Sequence, residues 1–104
     1  MNFNEWFDEN LSDYASDIAN HGADAGYPHI TYYSDTTVIY DRFENQIFEA
    51  LSQDADDMGY DNIDAMTSQF ARADMLDFPE GRKCLLVWYM CEKRARELDD
   101  QEAA

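Results

Sequence analysis

The chain has 104 residues, of which 45% are hydrophobic and 14% aromatic, and its formal net charge is −16 at pH 7. This length suits one domain over residues 1–104, and this hydrophobic content is typical of a folded domain rather than of a disordered acidic segment. A chain with this much negative charge repels nucleic acid and anionic membranes and attracts basic surfaces. We therefore expect neither direct nucleic-acid binding nor membrane binding.

Residues 3–19 carry the periodicity of an amphipathic helix. Apolar side chains recur at spacings of three and four, which place them on one helical face. The glycines and the proline that follow, Gly22, Gly26 and Pro28, end the pattern. The predicted buried stripe of this first helix is Phe3, Phe7, Leu11, Tyr14 and Ile18.

Two further helices are predicted in the middle of the chain. Ser34 or Asp35 can cap the first of them, and Gly59 fits the position just after its end. Asp61 or Asn62 then caps a shorter helix that buries Ile63, Met66 and Phe70. The longer helix has the predicted apolar stripe Val38, Ile39, Phe43, Ile47, Phe48 and Leu51.

The last predicted helix follows Asp77-Phe78-Pro79-Glu80 and contains the apolar run CLLVWYMC. Proline is favourable in a first helical turn, and helical spacing persists beyond the run to Leu98. A helix that is apolar on all sides is either the centre of a bundle or half covered by a second subunit. Two turns separate Cys84 from Cys91, too far for a disulfide, so we predict free thiols and an all-α bundle of about four helices.

The aspartate-rich stretch SQDADDMGYDNID, residues 52–64, invites comparison with a calcium loop. A loop that starts at Asp54 places Asp56 and Gly59 correctly for an EF-hand. It places Met58 where an oxygen ligand is needed and Ala65 where the bidentate glutamate belongs. The sequence therefore predicts a helix end and a capped turn here, with no metal site and no cofactor.

The negative charge is unevenly distributed along the chain. Residues 1–81 contain 18 acidic and two basic residues, whereas residues 82–104 contain five of each. Like charges four residues apart destabilise a helix, so their repetition in the first helix needs an explanation other than stability. The acidic candidates for partner binding are Glu5, Glu9, Asp13 and Asp17, together with Asp54, Asp56, Asp57, Asp61 and Asp64.

A row of carboxylates on a helix can imitate the phosphates of a nucleic-acid strand. Four residues rise about 6 Å along a helix, a spacing of the same order as that of DNA phosphates. Such a row would fit a groove lined with lysine and arginine, and its binding would weaken with salt. The alternative is that the acidic surface serves only solvation.

Catalytic and export signals are absent from the sequence. There is no Ser/His/Asp motif, glycine-rich phosphate loop or CxxC, so we expect a protein that is not an enzyme. No stretch reaches the ~20 apolar residues of a membrane span, and MNFNEWFDEN lacks the basic and apolar regions of a secretory signal. These observations predict a cytoplasmic protein.

The segments ITYYSDTTVIYDRFE and LLVWYMCEKRAREL together resemble a group of small phage and prophage proteins, over roughly residues 30–98. By size and charge the chain is also similar to phage anti-defence inhibitors, including anti-CRISPR proteins and DNA-mimic anti-restriction proteins. The resemblance implies an inhibitor of a nucleic-acid-targeting defence system, whose partner is the basic groove of a CRISPR effector or nuclease in the host cytoplasm.

Two other surfaces are alternatives to the acidic one. Tyr32 and Tyr33 lie in an irregular segment beside carboxylates, and tyrosine is enriched at interface hot spots. Leu85, Leu86 and Tyr89 provide a dimer face if a second copy covers the last helix. The chain would then be a regulatory or structural protein–protein module, either monomer or homodimer, whose acidity serves solubility.

Overall fold

Helices account for all secondary structure in the computed structural model, which describes residues 1–21, 36–68, 77 and 79–103. They are α1 (Phe3–Leu11), a 3₁₀ turn (Ser12–Tyr14), α2 (Ala15–His21), α3 (Thr36–Met58), α4 (Ile63–Thr67) and α5 (Pro79–Ala103). The predicted all-α fold of about four helical segments is confirmed. The predicted caps Ser34 and Asp35 and the predicted core residue Phe70 lie outside the described residues.

The first helical segment begins where predicted but is not one continuous α-helix. The Asn2 side chain accepts a hydrogen bond from the Glu5 backbone N–H at 2.8 Å and so caps α1. The Gln46 side chain of α3 accepts another from the Phe3 N–H at 2.8 Å. At Leu11 the backbone changes to φ −127° and ψ 2°, and the 3₁₀ turn separates α1 from α2.

Helix α3 carries a kink at Phe43, whose φ of −116° and ψ of 20° are not helical. At this point the Phe43 ring meets the Phe3 ring edge-on at 5.6 Å and lies 6.3 Å from the Trp6 ring, measured between centroids. Edge-to-face contacts of this kind stabilise beyond the area they bury. The aromatic cluster therefore joins α1 to the bend in α3.

The predicted apolar stripe of α3 is partly wrong. Val38 is 57% exposed and Phe48 is 54% exposed. Each lies one position away from a residue of the four-residue repeat that faces the core, which rotates it by about 100° around the helix. The residues of α3 that this repeat buries are Ile39, Phe43, Ile47, Leu51 and Ala55.

The junction between α3 and α4 has the predicted capping residues. Gly59 has φ +82°, and its N–H donates to the Asp56 carbonyl at 3.1 Å, while the Tyr60 N–H donates to the Ala55 carbonyl at 2.8 Å. This pair of bonds is the Schellman motif with glycine at the C′ position. Asn62 then caps α4 by accepting from the Ala65 N–H at 2.7 Å.

Helix α5 is the central helix of the bundle. Four consecutive residues from Leu85 to Trp88 are buried, which means that the helix is covered on all sides. It packs most extensively against α2 and α3, and it also contacts α1 and α4. Cys84 and Cys91 are not joined by a disulfide, as predicted. The chain's own helices therefore provide the cover that an all-round apolar helix needs.

We predict that Gly59→Ala lowers the free energy of unfolding by about 1–2 kcal/mol, because an alanine Cβ is strained in the left-handed region. Apart from Gly59 and its two chain neighbours, no atom of the described residues lies within 4 Å of an added Cβ, so the expected loss comes from backbone conformation rather than from a steric clash. Gly59→Asn is the control, since asparagine tolerates this conformation better and should cost less. Urea unfolding measures both, and equal losses would contradict this explanation.

Candidate partner-binding surface

The acidic candidates of the first helical segment are all exposed but do not form one continuous row. Glu5 and Glu9 lie on α1, Asp13 lies in the 3₁₀ turn and Asp17 lies on α2. A 3₁₀ turn advances by three residues per turn instead of 3.6, so the spacing-four alignment holds within α1 and is lost across the break. The prediction of one continuous helix over residues 3–19 is therefore wrong, although the four carboxylates remain on the surface.

The second acidic group surrounds the α3–α4 junction. Asp56, Asp57, Asp61 and Asp64 are exposed, and Asp54 is half-buried. Lys93 of α5 donates to both oxygens of Asp54, at 3.0 and 2.9 Å. The Gln53 side chain donates to Asp57 Oδ1 at 2.9 Å. These contacts offset part of the cost of carboxylates at the C-terminal end of a helix.

The positive charges of α5 are engaged within the chain. Arg82 Nε donates to Asp64 Oδ1 at 2.9 Å, and Lys83 Nζ donates to Asp41 Oδ1 at 2.8 Å. Arg96 pairs with Glu92 along the same helix. With the Lys93 and Arg94 pairs, all five basic residues of α5 contact carboxylates of this chain. The partners on other helices are Asp8, Asp41, Asp54 and Asp64.

The best-formed of these pairs joins the two ends of the chain. Arg94 Nε and Nη2 donate to the two oxygens of Asp8 at 2.9 and 2.7 Å, and its Nη1 donates to Glu97 at 2.9 Å. The hydrogen bond to Asp8 is the main cause that raises the pKa of Arg94 above its ordinary value. The planar fork of a guanidinium matches a carboxylate in this way, and it fixes α1 against α5.

Within the described residues, the remaining acidic candidates have no ion pair. They comprise Glu5, Glu9, Asp13, Asp17, Asp56, Asp57 and Asp61. Asp54 and Asp64, in contrast, are already paired with Lys93 and Arg82. The nine predicted acidic residues thus divide into seven exposed carboxylates without an ion pair to any described residue and two that join helices.

Of the two alternative surfaces, only the predicted dimer face lies within the described residues. Tyr32 and Tyr33 lie outside the described residues. Leu85 is 1% exposed and Leu86 is 0% exposed, so the chain's own core contains them and they present no surface to a second copy. Tyr89 is half-buried and lines a cavity of about 270 Å³ with Met58 and Tyr60. Leu85 and Leu86 are therefore excluded from the predicted dimer face, because the chain's own core buries them.

Two side chains of α5, Cys91 and Tyr89, have raised pKa values. Cys91 is buried in the core, and burial raises the pKa of its thiol, so it stays protonated. Desolvation is also the main cause that raises the pKa of Tyr89.

No group of three or more His, Cys, Asp or Glu side chains in the described ranges could hold a metal ion. None of the described helices combines the length and hydropathy of a membrane span.

Comparison with known proteins gives a family. A family model described as "Domain of unknown function (DUF7222)" matches residues 2–103. The chain belongs to this family. No curated protein and no solved structure matches the chain. The match covers all the described helices.

Two features of this DUF7222 chain were missed by sequence reasoning. The first is that α5 neutralises acids on the other helices; its signal was the concentration of five basic residues in the last 23 positions. The second is the exposed ring of Phe48, which lines a groove with Asp56, Asp61 and Arg82. The helical spacing of Phe48 was also consistent with a core position, so the sequence did not indicate whether its ring is buried or exposed.

We predict that Arg94 and Asp8 are energetically coupled by about 1 kcal/mol, since Arg94 is only 17% exposed and the pair is bidentate. The measurement is a double-mutant cycle of Arg94→Met and Asp8→Asn in urea unfolding. The Lys83–Asp41 pair is the matched control; it is 37% and 60% exposed, and its coupling should be clearly smaller. Equal coupling in the two pairs would contradict a special role for Arg94.

A second prediction concerns stability at alkaline pH. The raised pKa of Cys91 means that the folded chain keeps the thiol proton, whereas the unfolded chain loses it above its ordinary pKa of 9.0. The unfolded state then binds fewer protons, so stability must fall as pH rises, by up to about 1.4 kcal/mol per pH unit from this group. Tyr89 adds to the loss above pH 10.0.

The measurement is urea unfolding of the wild type and Cys91→Ala between pH 8 and 10. The variant will be less stable throughout because it leaves a cavity, but its slope between pH 9 and 10 should be shallower. Cys84→Ala is the control because Cys84 is only partly buried. Parallel pH profiles for wild type and Cys91→Ala would rule out the thiol as the source.

Proposed function

We propose that the chain is a non-catalytic inhibitor that binds the basic nucleic-acid-binding groove of a bacterial defence complex, such as a CRISPR effector or nuclease, through its exposed carboxylates. The observation that carries the proposal is the segregation of charge. The bases of α5 are engaged with carboxylates of the chain itself, while Glu5, Glu9, Asp13, Asp17, Asp56, Asp57 and Asp61 are exposed without an ion pair among the described residues.

A folded scaffold makes these carboxylates more suitable as phosphate substitutes than a flexible acidic tail would be. Glu5 and Glu9 lie on a capped helix that is anchored by the aromatic cluster, and Asp61 lies between the Gly59 turn and the Asn62 cap. Fixed charges lose less conformational entropy on binding than charges in a mobile segment. A basic groove that opens for nucleic acid would gain counterion release from these charges in the same way.

The choice of target depends on the sequence resemblance rather than on the geometry. The segments ITYYSDTTVIYDRFE and LLVWYMCEKRAREL resemble small phage and prophage proteins, and acidic inhibitors of this size act on nucleic-acid-handling complexes. The exposed carboxylates agree with that strategy. A host-cytoplasmic location is part of the same proposal, because that is where such complexes work.

A second candidate is a regulatory or structural protein–protein module whose acidity serves solubility. The observation that favours it is the presence of apolar side chains on the surface, since Val38, Phe48 and Met58 are 57%, 54% and 60% exposed. A partner recognised mainly through such side chains would bind in a manner insensitive to salt. Salt dependence therefore separates the two candidates.

We predict that the purified protein captures a component of a CRISPR or nuclease complex at about 100 mM salt, releases it at about 500 mM, and is competed by DNA. Glu5→Lys with Glu9→Lys should weaken capture at least about tenfold, because two contacts become repulsive. Unfolding temperature should change little, since both side chains are exposed. Pull-down and calorimetry provide the measurements.

The matched control is Asp99→Lys with Asp100→Lys near the end of α5, which changes the net charge by the same amount at another place. It should retain most of the capture. If both double variants lose capture equally, total charge rather than an acidic surface is responsible. Capture that ignores salt and DNA supports the second candidate, and no capture of any such component contradicts the proposed target.

A further inference from the structure

A groove of about 400 Å³ lies between the C-terminal half of α3, the start of α4 and Arg82 of α5. Its apolar surface includes Phe48 and Ile63, and its carboxylates are Asp56, Asp61 and Asp64. This volume lies within the range of sites that bind small molecules or single large side chains. The groove is thus a concave site in which an aromatic ring and several carboxylates face one space.

Phe48 is the unusual member of the groove. It is 54% exposed, whereas Phe43 on the same helix is 2% exposed within the aromatic cluster. Scattered exposed apolar residues need no explanation, but a large ring that lines an acidic groove combines two recognition elements in one place. A ring face beside carboxylates is a favourable environment for an organic cation.

The charges of the groove are unbalanced. Asp56, Asp61 and Asp64 contribute three negative charges and Arg82 contributes one positive charge, which leaves −2. Arg82 Nε already donates to Asp64 Oδ1 at 2.9 Å, so a guanidinium is accommodated at this rim. Asp56 and Asp61 have no ion pair with any described residue, and their charges can accept up to two basic side chains.

We propose that this groove binds an arginine side chain of the partner protein, which would lie between the Phe48 ring and the carboxylates of Asp56 and Asp61. Arginine fits better than lysine because its planar, weakly hydrated head both stacks on an aromatic face and forms forked hydrogen bonds to carboxylates. The inference rests on the proposed function and deepens it: a groove that binds phosphates is rich in arginine, and one such residue would be anchored here.

The test uses the full chain and two short blocked peptides, one with two arginines separated by glycine and one with lysines at the same positions. Titration into isotopically labelled protein, followed by amide chemical shifts in NMR, should move the signals of residues 48–64 more than those of residues 3–17. The arginine peptide should bind at least about threefold more tightly than the lysine peptide, as expected for added stacking.

Two pairs of variants test the assignment of residues. Phe48→Ala should weaken binding of the arginine peptide at least about threefold, while Val38→Ala, an equally exposed apolar residue of α3, should leave it unchanged. Asp56→Asn with Asp61→Asn should weaken it further than Glu44→Gln with Glu49→Gln, which removes the same charge from exposed residues of α3 that do not line the groove. Equal effects within either pair would overturn the proposal.

The failure of this inference is distinguishable from the failure of the proposed function. If a defence-complex component is captured and Phe48→Ala leaves its affinity unchanged, the acidic surface binds without the groove and this inference is wrong. If the arginine peptide binds in the groove but no such component is captured, the arginine site stands and the proposed target is wrong.

Discussion

Burial of α5 on all sides is the constraint on which the rest of the structure depends. A helix with Leu85, Leu86, Val87 and Trp88 in succession has no face that tolerates water, so other helices must surround it. In the described part of the chain, α2 and α3 provide most of that cover. In the described residues, the amphipathic helices bury their apolar faces in the core around α5, and their exposed faces carry acidic residues.

The basic residues of α5 also form ion pairs with acidic residues of the other helices. Its basic residues reach past the apolar centre to Asp8 on α1, Asp41 and Asp54 on α3 and Asp64 on α4. Each exposed pair contributes little alone. Together they reduce like-charge repulsion at the places where the acidic helices meet α5, while the carboxylates farther out are exposed. The acids that contact α5 therefore differ from the others by an ion pair rather than by burial, since Asp41 and Asp64 are themselves exposed.

Local chemistry explains which features could be predicted from the sequence. Gly59, Asn62 and Pro79 act within a few residues of themselves, through φ, a side-chain cap and a missing N–H, so their roles were predictable. The break at Leu11 and the kink at Phe43 fall at places without glycine or proline, so no local pattern in the sequence marked them. The pairing of Arg94 with Asp8 spans 86 residues and likewise needs the fold.

The acidic candidates show the same difference between features that the local sequence predicts and features that depend on the fold. Composition and position were sufficient to predict that Glu5, Glu9, Asp13 and Asp17 lie on the surface, but alignment along one row required an unbroken helix that the fold does not have. For Phe48, helical spacing was consistent with the core, and about 100° of rotation placed the ring outside it. An apolar residue near the edge of a stripe is ambiguous until the neighbouring helices are in place.

The position of Phe48 bears on why the surface is acidic at all. Solvation alone requires charge but no particular arrangement, and it gives no reason for an exposed phenyl ring to line the same groove as Asp56, Asp61 and Asp64. The arginine site proposed above would use both elements, because carboxylates attract many cations over a distance whereas a ring discriminates among them at contact. The exposed carboxylates would attract a basic groove over a distance. The Phe48 ring would then contact one arginine of that groove.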